Sequence, residues 1–215
     1  MSLRTKNSTI PRFAASVVTS KHQHKINFDT PIDLFTPPHI WGDINGVEKL
    51  RLLCRLIKSG FSPPFEFGTF RGLTTCNMAM NLPDANHKVF TIDSDNQCND
   101  STLNVEGRNY EHYTVGELYK SKGLEDRVEQ ITEDSSVMDL SEYYGKFGLV
   151  FVDAGHSYGA IKHDSEEAFK LVRSGGVIVW DDYGDYWPDV KRYLDELSSS
   201  KELFIDSGLI MYFVP

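Results

Sequence analysis

The feature that most constrains the fold of this chain is a series of short, continuously apolar segments that alternate with helical patterns. Phe147–Val152 and Val177–Trp180 are the clearest segments, and Ile161 and Ala168 lie between them at helical spacing. Short apolar strands without polar alternation, separated by helices, are typical of a parallel sheet covered on both faces. The sequence therefore predicts an α/β fold with a doubly wound, mostly parallel sheet.

The end of the chain departs from this alternation. Leu203–Ile205 and Leu209–Val214 are β-rich runs joined by only three residues, Asp206, Ser207 and Gly208. Parallel neighbours need a connection of a dozen or more residues. These runs are therefore predicted to form a C-terminal antiparallel hairpin. The Gly175-Gly176 pair is predicted to be the turn that leads from a helix into the strand at Val177.

The 215 residues are enough for one domain and an extension. Residues 1–43 are polar and rich in proline, and we expect them to be a partly ordered N-terminal extension that serves as a substrate lid. Residues 44–215 form the predicted domain. The net charge of −9 argues against nucleic acid as a partner. No apolar stretch approaches the roughly 20 residues of a membrane span, so no membrane partner is expected.

Charge and cysteine usage bear on location. Residues 1–28 contain five basic residues and no acidic one, which is compatible with a transit peptide, a disordered arm or a segment left by cloning. The three cysteines are widely spaced and form no zinc-binding pattern. Reduced thiols, and with them an intracellular, cytoplasmic protein, are the expectation.

A glycine-containing turn follows the first predicted strand. Glu66–Gly72 has the pattern E-x-G-x-x-x-G, in which Gly68 and Gly72 would let the backbone approach a ligand at the start of a helix. Asp93 ends the next strand, where an acid can accept hydrogen bonds from both hydroxyls of a ribose. Asp95 is an alternative for that contact. Together the turn and the acid predict a ligand that contains a nucleoside.

Three aspartates follow two further strands that should be neighbours. Asp153 ends one strand, and Asp181 and Asp182 end the other, so the carboxylates would repel unless a cation or a proton relieves them. Hard oxygen ligands favour Mg²⁺ or Ca²⁺. Alternatively, Asp153 orders a loop and Asp182 caps a helix. His156 lies near Asp153 and suits a general base, whereas His163 is expected on an exposed helix face.

These residues resemble the class I S-adenosylmethionine-dependent methyltransferases, which have a Rossmann-like fold, over about residues 44–215. Glu66–Gly72 resembles the turn that holds the methionine part of the cofactor, and Asp93 matches the ribose-binding acid. Thr132–Ser135 resembles the loop that contacts adenine, and the terminal hairpin matches the reversed last strand of the family. The resemblance implies S-adenosylmethionine as cofactor, bound by Glu66, Gly68, Thr69, Phe70, Gly72, Asp93, Asp134, Ser135 and Asp153.

Within that class, Phe147–Tyr158 and Gly175–Tyr183 resemble the catechol and macrocin-type O-methyltransferases. The resemblance implies that Asp153, Asp181 and Asp182 bind Mg²⁺ against two adjacent oxygens of a small-molecule acceptor such as a diol, catechol or sugar. His156 stands where the catechol enzymes have a lysine base, so His156 and Asp153 are the predicted catalytic residues.

The acceptor itself is not identified by the sequence. Phe28, Phe35 and Trp41 are apolar residues in a polar extension, and we expect them to cover its site. Three other functions stay open: a metal-independent N- or O-methyltransferase, a nicotinamide-dependent oxidoreductase, and a non-catalytic nucleoside-binding module. The oxidoreductase is disfavoured because the turn lacks the G-x-G-x-x-G spacing. A homo-oligomer is compatible with the sequence.

Overall fold

The computed structural model of this chain describes residues 25–37, 44–94 and 113–215. Its helices are α1 (Ile44–Lys58), α2 (Leu73–Met80), α3 (Glu117–Ser121), α4 (Tyr158–Leu171) and α5 (Pro188–Leu197). Its strands are β1 (Pro64–Phe67), β2 (Val89–Asp93), β3 (Val128–Thr132), β4 (Phe147–Val152), β5 (Val172–Trp180), β6 (Phe204–Asp206) and β7 (Leu209–Phe213). None of the helices in these ranges has the length and apolar character needed to cross a bilayer.

The seven strands form one sheet in the order β3-β2-β1-β4-β5-β7-β6. The first five in this order are parallel to one another, and β7 is antiparallel to both β5 and β6. The predicted doubly wound sheet and its C-terminal hairpin are both confirmed. The order of the strands reverses between β1 and β4, and in such sheets a crevice for ligands opens at the carboxyl ends of the strands on either side of that point.

Helices cover both faces of the sheet because β4, its middle strand, is apolar throughout. Every residue of β4 is buried. Leu149 and Phe151 pack on the side of α1 and α2, whereas Val150 and Val152 pack on the side of α4 and α5. Side chains alternate between the faces of a strand, so a run without polar residues has to be covered twice.

The start of β5 differs from the prediction. Gly175 and Gly176 do not form a turn before the strand but lie inside it, since β5 already begins at Val172. The register shows why: Phe147 pairs with Val172, but Leu149 pairs with Val177, so β5 carries extra residues in a bulge. A bulge accommodates residues that have no partner on the neighbouring strand, and the glycine pair lies there.

The segment at residues 31–37 is fixed to α2 by two asparagine side chains. The Asn81 amide accepts a hydrogen bond from the backbone N–H of Asp33 at 3.0 Å and donates one to its carbonyl at 2.7 Å. Asn77 makes the same pair of bonds with Phe35, at 2.8 and 3.0 Å. Both asparagines are fully buried. The extension is therefore attached to the helix that follows the glycine turn.

Candidate functional site

A cleft of about 1110 Å³ opens at the carboxyl ends of β1, β2, β4 and β5. Pockets for small molecules usually occupy roughly 300–1,000 Å³, so this cleft has room for a cofactor and a small acceptor. Most of the side chains predicted from the sequence line it together. These are Gly68, Thr69, Phe70, Asp93, Asp134, Ser135, Asp153, His156, Asp181 and Asp182.

The glycine turn lies directly against the end of β4. The Gly68 N–H donates to the carbonyl of Ile92 at 3.0 Å, which extends the pairing of β1 with β2. Gly68 has a φ of +93°, and a Cβ added there would lie 2.0 Å from the carbonyl oxygen of Asp153. A residue with a side chain would meet both backbone strain and a clash. Glycine is therefore required where the two loops meet.

Asp93 closes the turn from the next strand. Its Oδ2 accepts a hydrogen bond of 2.6 Å from the backbone N–H of Phe70, a residue with a positive φ of 47°. One carboxylate oxygen thus holds the turn in its unusual conformation, while the residue itself faces the cleft. Asp93 therefore orders the loop and is also placed where a ribose could be bound. The alternative acid, Asp95, lies outside the described residues.

Glu66 and Gly72 do not line the cleft but support its floor. Glu66 is buried and accepts hydrogen bonds from the hydroxyls of Thr75, at 2.5 Å, and Thr91, at 2.8 Å. Burial raises the pKa of Glu66 to about 8, although these hydrogen bonds oppose the shift. Gly72 packs against α3, where an added Cβ would lie 2.9 Å from the Gly116 Cα.

The loop after β3 is fixed by α4. The Ser135 hydroxyl donates to Asp164 at 2.8 Å, and His163 Nε2 lies 3.0 Å from the Ser135 carbonyl oxygen. Asp164 is 2% exposed, and burial raises its pKa to about 6. Asp134 accepts the backbone N–H of Ser136 at 2.9 Å, and hydrogen bonds from Ser136 lower the pKa of Asp134. His163 is half-buried and lines the cleft, so the expectation of an exposed residue was wrong.

The aspartates after β4 and β5 meet at the other end of the cleft, together with His156. His156 Nε2 lies 2.7 Å from Asp182 Oδ2, and its ring is stacked on Trp187 with a centroid distance of 3.7 Å. Ligand atoms of Asp153, His156 and Asp182 all lie within 4.8 Å of one another. The imidazole is thus held by a carboxylate at one edge and by an indole on one face.

Asp181 has a different partner. Its Oδ1 accepts a hydrogen bond from the ammonium of Lys49 on α1 and another, at 2.6 Å, from the backbone N–H of Asp182. Loss of hydration raises the pKa of Asp181, and the charge of Asp182 adds to this while Lys49 opposes it. Asp153 has its pKa raised well above the ordinary range by loss of hydration and then by Asp181 and Asp182.

These residues fit both groups that the resemblance implies. Asp153 and Asp182 present carboxylate oxygens that lie within 4.8 Å of each other, and Asp181 lines the same cleft. Carboxylate oxygens are the ligands that a hard divalent cation prefers. Gly68, Thr69 and Phe70 offer a cradle for the methionine part of the cofactor, and Asp93 lies beside them where the ribose would be. Asp93 ends β2 and Ser135 lies in the loop after the neighbouring strand β3, so the two would contact the adenosyl group from adjacent strands.

Phe28, Phe35 and Trp41 were expected to cover the acceptor site, and for Phe28 and Phe35 this expectation was wrong. Phe28 lies beside Arg55, 5.5 Å from ring to guanidinium, and Phe35 packs on the core beneath the Lys122 ammonium. Neither lines the cleft, whereas Thr36 does. Trp41 lies outside the described residues. An aromatic rim is instead formed by Tyr186, which is 61% exposed, and Trp187.

The geometry also brings in residues that the sequence analysis missed. Lys49, His163, Asp164 and Trp187 line the cleft. Lys49 gives no signal in the sequence, since it is one polar position among others on a helix whose partner lies more than a hundred residues away. Trp187 precedes Pro188 at the start of α5, and an aromatic residue at a helix start indicates no particular role.

Comparison with known proteins gives a family for the central part of the chain. Residues 65–183, which are more than half of the sequence, match a protein family described as a methyltransferase domain. A caffeoyl-CoA O-methyltransferase from Populus kitakamiensis is 28% identical over 167 residues, which cover 73% of this chain. The chain spans 64% of the length of that relative.

Solved structures share the fold. An O-methyltransferase from Bacillus cereus, in complex with S-adenosylhomocysteine, has a TM-score of 0.56 at 19% identity and covers 83% of this chain and 84% of its own. The O-methyltransferase TomG from Streptomyces achromogenes, in complex with S-adenosylmethionine, has a TM-score of 0.54 at 20% identity and covers 90% of this chain and 86% of its own. At these identities the likeness concerns the fold.

Proposed function

Since the chain belongs to the methyltransferase-domain family, we propose that it transfers a methyl group from S-adenosylmethionine to a hydroxyl oxygen of a small molecule with two adjacent oxygens, with the help of a divalent cation. The observation that carries the proposal is the convergence of Gly68, Asp93 and Asp153, the ends of three neighbouring strands, in one cleft. The similar O-methyltransferases support oxygen as the acceptor atom.

The cofactor, when bound, supplies an activated methyl group on a sulfonium sulfur. Asp93 would hold the ribose, and the Gly68–Phe70 turn would hold the methionine part against β4. Ser135, whose hydroxyl is hydrogen-bonded to Asp164, would contact the adenine. The protein contributes mainly position, because methyl transfer needs the reacting atoms about 3–3.5 Å apart and in line.

A divalent cation, when bound, supplies a Lewis acid that lowers the pKa of a substrate hydroxyl. Asp153, Asp181 and Asp182 would hold it, with Mg²⁺ as the ion expected from the resemblance. His156 would accept the proton of the hydroxyl. Its hydrogen bond to Asp182 and its contact with Trp187 fix the ring.

A metal-independent methyltransferase is the second candidate, and Lys49 favours it. Its ammonium already places a positive charge beside Asp181. In this candidate the aspartates would order the loops and Lys49 would be their permanent counter-ion. A nicotinamide-dependent oxidoreductase has no support from the family match. A silent nucleoside-binding module would bind the cofactor without turnover.

The test is a transfer assay with methyl-labelled S-adenosylmethionine and a panel of catechols, diols and sugars. Each acceptor is paired with its analogue in which one of the two oxygens is removed. The proposal expects labelled product from acceptors with adjacent oxygens, loss of activity with a chelator, and recovery with Mg²⁺. Activity indifferent to the chelator would assign the metal-independent candidate, and cofactor binding without turnover on the whole panel would favour the binding module.

A further inference from the structure

We propose that Lys49 is an internal competitor of the divalent cation: its ammonium occupies the Asp181 corner of the aspartate cluster, and a cation binds by displacing it. The inference rests on the proposed function, because it concerns the same cluster. It assigns a role to a residue of α1, an element outside the region that matches the methyltransferase family.

The first observation is that Lys49 is directed into the cleft. Residues on either side of it on α1, Val47, Leu50 and Leu53, line the same cleft. Leu50 and Leu53 are buried, so α1 is anchored with this side towards the site. Lys49 is itself only partly exposed, with 26% of its side chain accessible, and its partner Asp181 is less so at 14%.

The second observation is that Lys49 uses an atom that a cation would need. Asp181 Oδ1 accepts from the Lys49 ammonium and from the backbone N–H of Asp182, so this oxygen has two donors already. The converging atoms of Asp153, His156 and Asp182 are separate from it. A cation ligated by Asp181 through this oxygen therefore has to take the place of the ammonium.

The third observation is electrostatic. The Lys49 ammonium forms an ion pair with the Asp181 carboxylate, and the side chains of both residues are partly buried. Charges that are partly removed from water interact more strongly than charges on the surface. A doubly charged cation at the cluster would be repelled by Lys49 even when it does not use Asp181.

These observations lead to an unusual expectation. Removal of Lys49 adds no metal ligand, but it should strengthen cation binding, because the cation no longer has to displace the Lys49 ammonium from Asp181. If Lys49 were instead a permanent counter-ion that never leaves Asp181, its removal would not produce a tighter cation site.

The test is to measure Mn²⁺ binding to the full chain, with MnCl₂ alone, by electron paramagnetic resonance and by calorimetry. Lys49→Met keeps the length of the side chain and removes the charge, and we expect it to bind Mn²⁺ at least tenfold more tightly than the wild type, a change of about 1.4 kcal/mol. Lys49→Gln, which keeps a donor for Asp181 without the charge, provides the same test if Lys49→Met does not fold. Lys58→Met, at the exposed end of α1, is the matched control and should bind like the wild type.

The outcomes separate this inference from the proposed function. The inference is supported if the Lys49 variants bind Mn²⁺ more tightly than the wild type and Lys58→Met does not. Equal or weaker binding by those variants overturns it and leaves the cation site in place. If no variant binds Mn²⁺, both the metal-assisted reaction and the competition are overturned. As a second readout, Mn²⁺ should raise the melting temperature of Lys49→Met more than that of the wild type.

Discussion

His156 is held from two directions, by the Asp182 carboxylate and by the Trp187 ring, and this fixation is what a general base requires. General bases contribute roughly 10²–10⁴-fold to the rate. We therefore expect His156→Gln to lower kcat about 100-fold or more and to leave the affinity for S-adenosylmethionine unchanged, as measured by initial rates and calorimetry.

The matched control for this variant is His87→Gln. His87 also lies 2.9 Å from a carboxylate, that of Asp84, but on the surface between α2 and β2. It should change neither the rate nor the cofactor affinity. If His156→Gln instead loses the cofactor while the rate at saturation is kept, the histidine orders the cleft and does not take part in proton transfer.

Asp93 has two roles that can be separated by substitution. Asp93→Ala removes both the acceptor for the Phe70 N–H and the ribose contact, so we expect cofactor binding to weaken at least tenfold, by about 1.4 kcal/mol. Asp93→Asn keeps an oxygen for the turn and should lose less. Calorimetry of the two variants measures the difference.

A control for the Asp93 variants is Asp139→Ala, since Asp139 also accepts a backbone N–H, that of Ser141 at 2.9 Å, but outside the cleft. Its cofactor affinity should equal that of the wild type. Unchanged binding by Asp93→Ala would reassign the ribose contact to another residue.

Single residues also show what sequence can and cannot predict about the site. Gly68 and Asp93 could be named because a strand end and a glycine turn are local patterns. The partner of Asp181 could not be named from the sequence, because the contact of Lys49 with Asp181 depends on how α1 packs in the folded protein. The same holds for Ser135, whose hydroxyl is bound by Asp164 of another element.

At the scale of elements, Asn77 on α2 and Asn81 directly after it bind the backbone of the extension and not its side chains. Asn81→Ala leaves the N–H and the carbonyl of Asp33 without these partners. We expect the amide of Asp33 to lose at least tenfold in hydrogen-exchange protection, measured by NMR. Loss of these hydrogen bonds would also lower the free energy of unfolding, by about 0.5–1.5 kcal/mol for each bond.

The exposed Asn86→Ala is the control for this variant and should leave the exchange of Asp33 unchanged. Asn77→Ala should affect the amide of Phe35 in the same way. Retained protection of Asp33 in Asn81→Ala would show that packing of the segment, and not the asparagine, fixes it to α2.

Elements were predictable where their pattern is local. The apolar strands and the short link of the C-terminal hairpin predicted β4, β7 and the reversal between β6 and β7, all of which are confirmed. The start of β5 was not predicted correctly. A glycine pair in isolation favours a turn, but in this sheet the pair is accommodated by the shifted register of β5 against β4. A bulge is decided by the neighbouring strand.

At the scale of the whole molecule, the location of the site follows from the topology. Parallel strands end on the same edge of a sheet, so the predicted parallel sheet led to the expectation that residues following β1, β2, β4 and β5 lie at one edge. The predicted methyltransferase family is confirmed by the family match, and solved O-methyltransferases share the fold. The electrostatic balance within the cleft depends on burial, which the sequence does not specify.

Burial of acids gives the molecule a stability that depends on pH. Glu66 has its pKa raised from 4.5 to about 8, first by burial and also by the charge of Asp93. Between these two values the folded protein holds a proton that the unfolded chain has released. Its contribution to stability is therefore complete below about pH 4.5 and is lost as the pH rises to 8, by up to about 1.4 kcal/mol per pH unit.

Glu66→Gln removes this titration and keeps an oxygen that can accept from Thr75 and Thr91. We expect the free energy of unfolding of the variant, relative to the wild type, to rise between pH 5 and 8 and to level off above, as measured by urea denaturation at several pH values. Asp164→Asn is the comparison, because the pKa of Asp164 is raised only to about 6 and its rise should end there. Parallel curves for Glu66→Gln and the wild type would mean that Glu66 is charged in the folded protein and that the floor of the cleft carries one more negative charge.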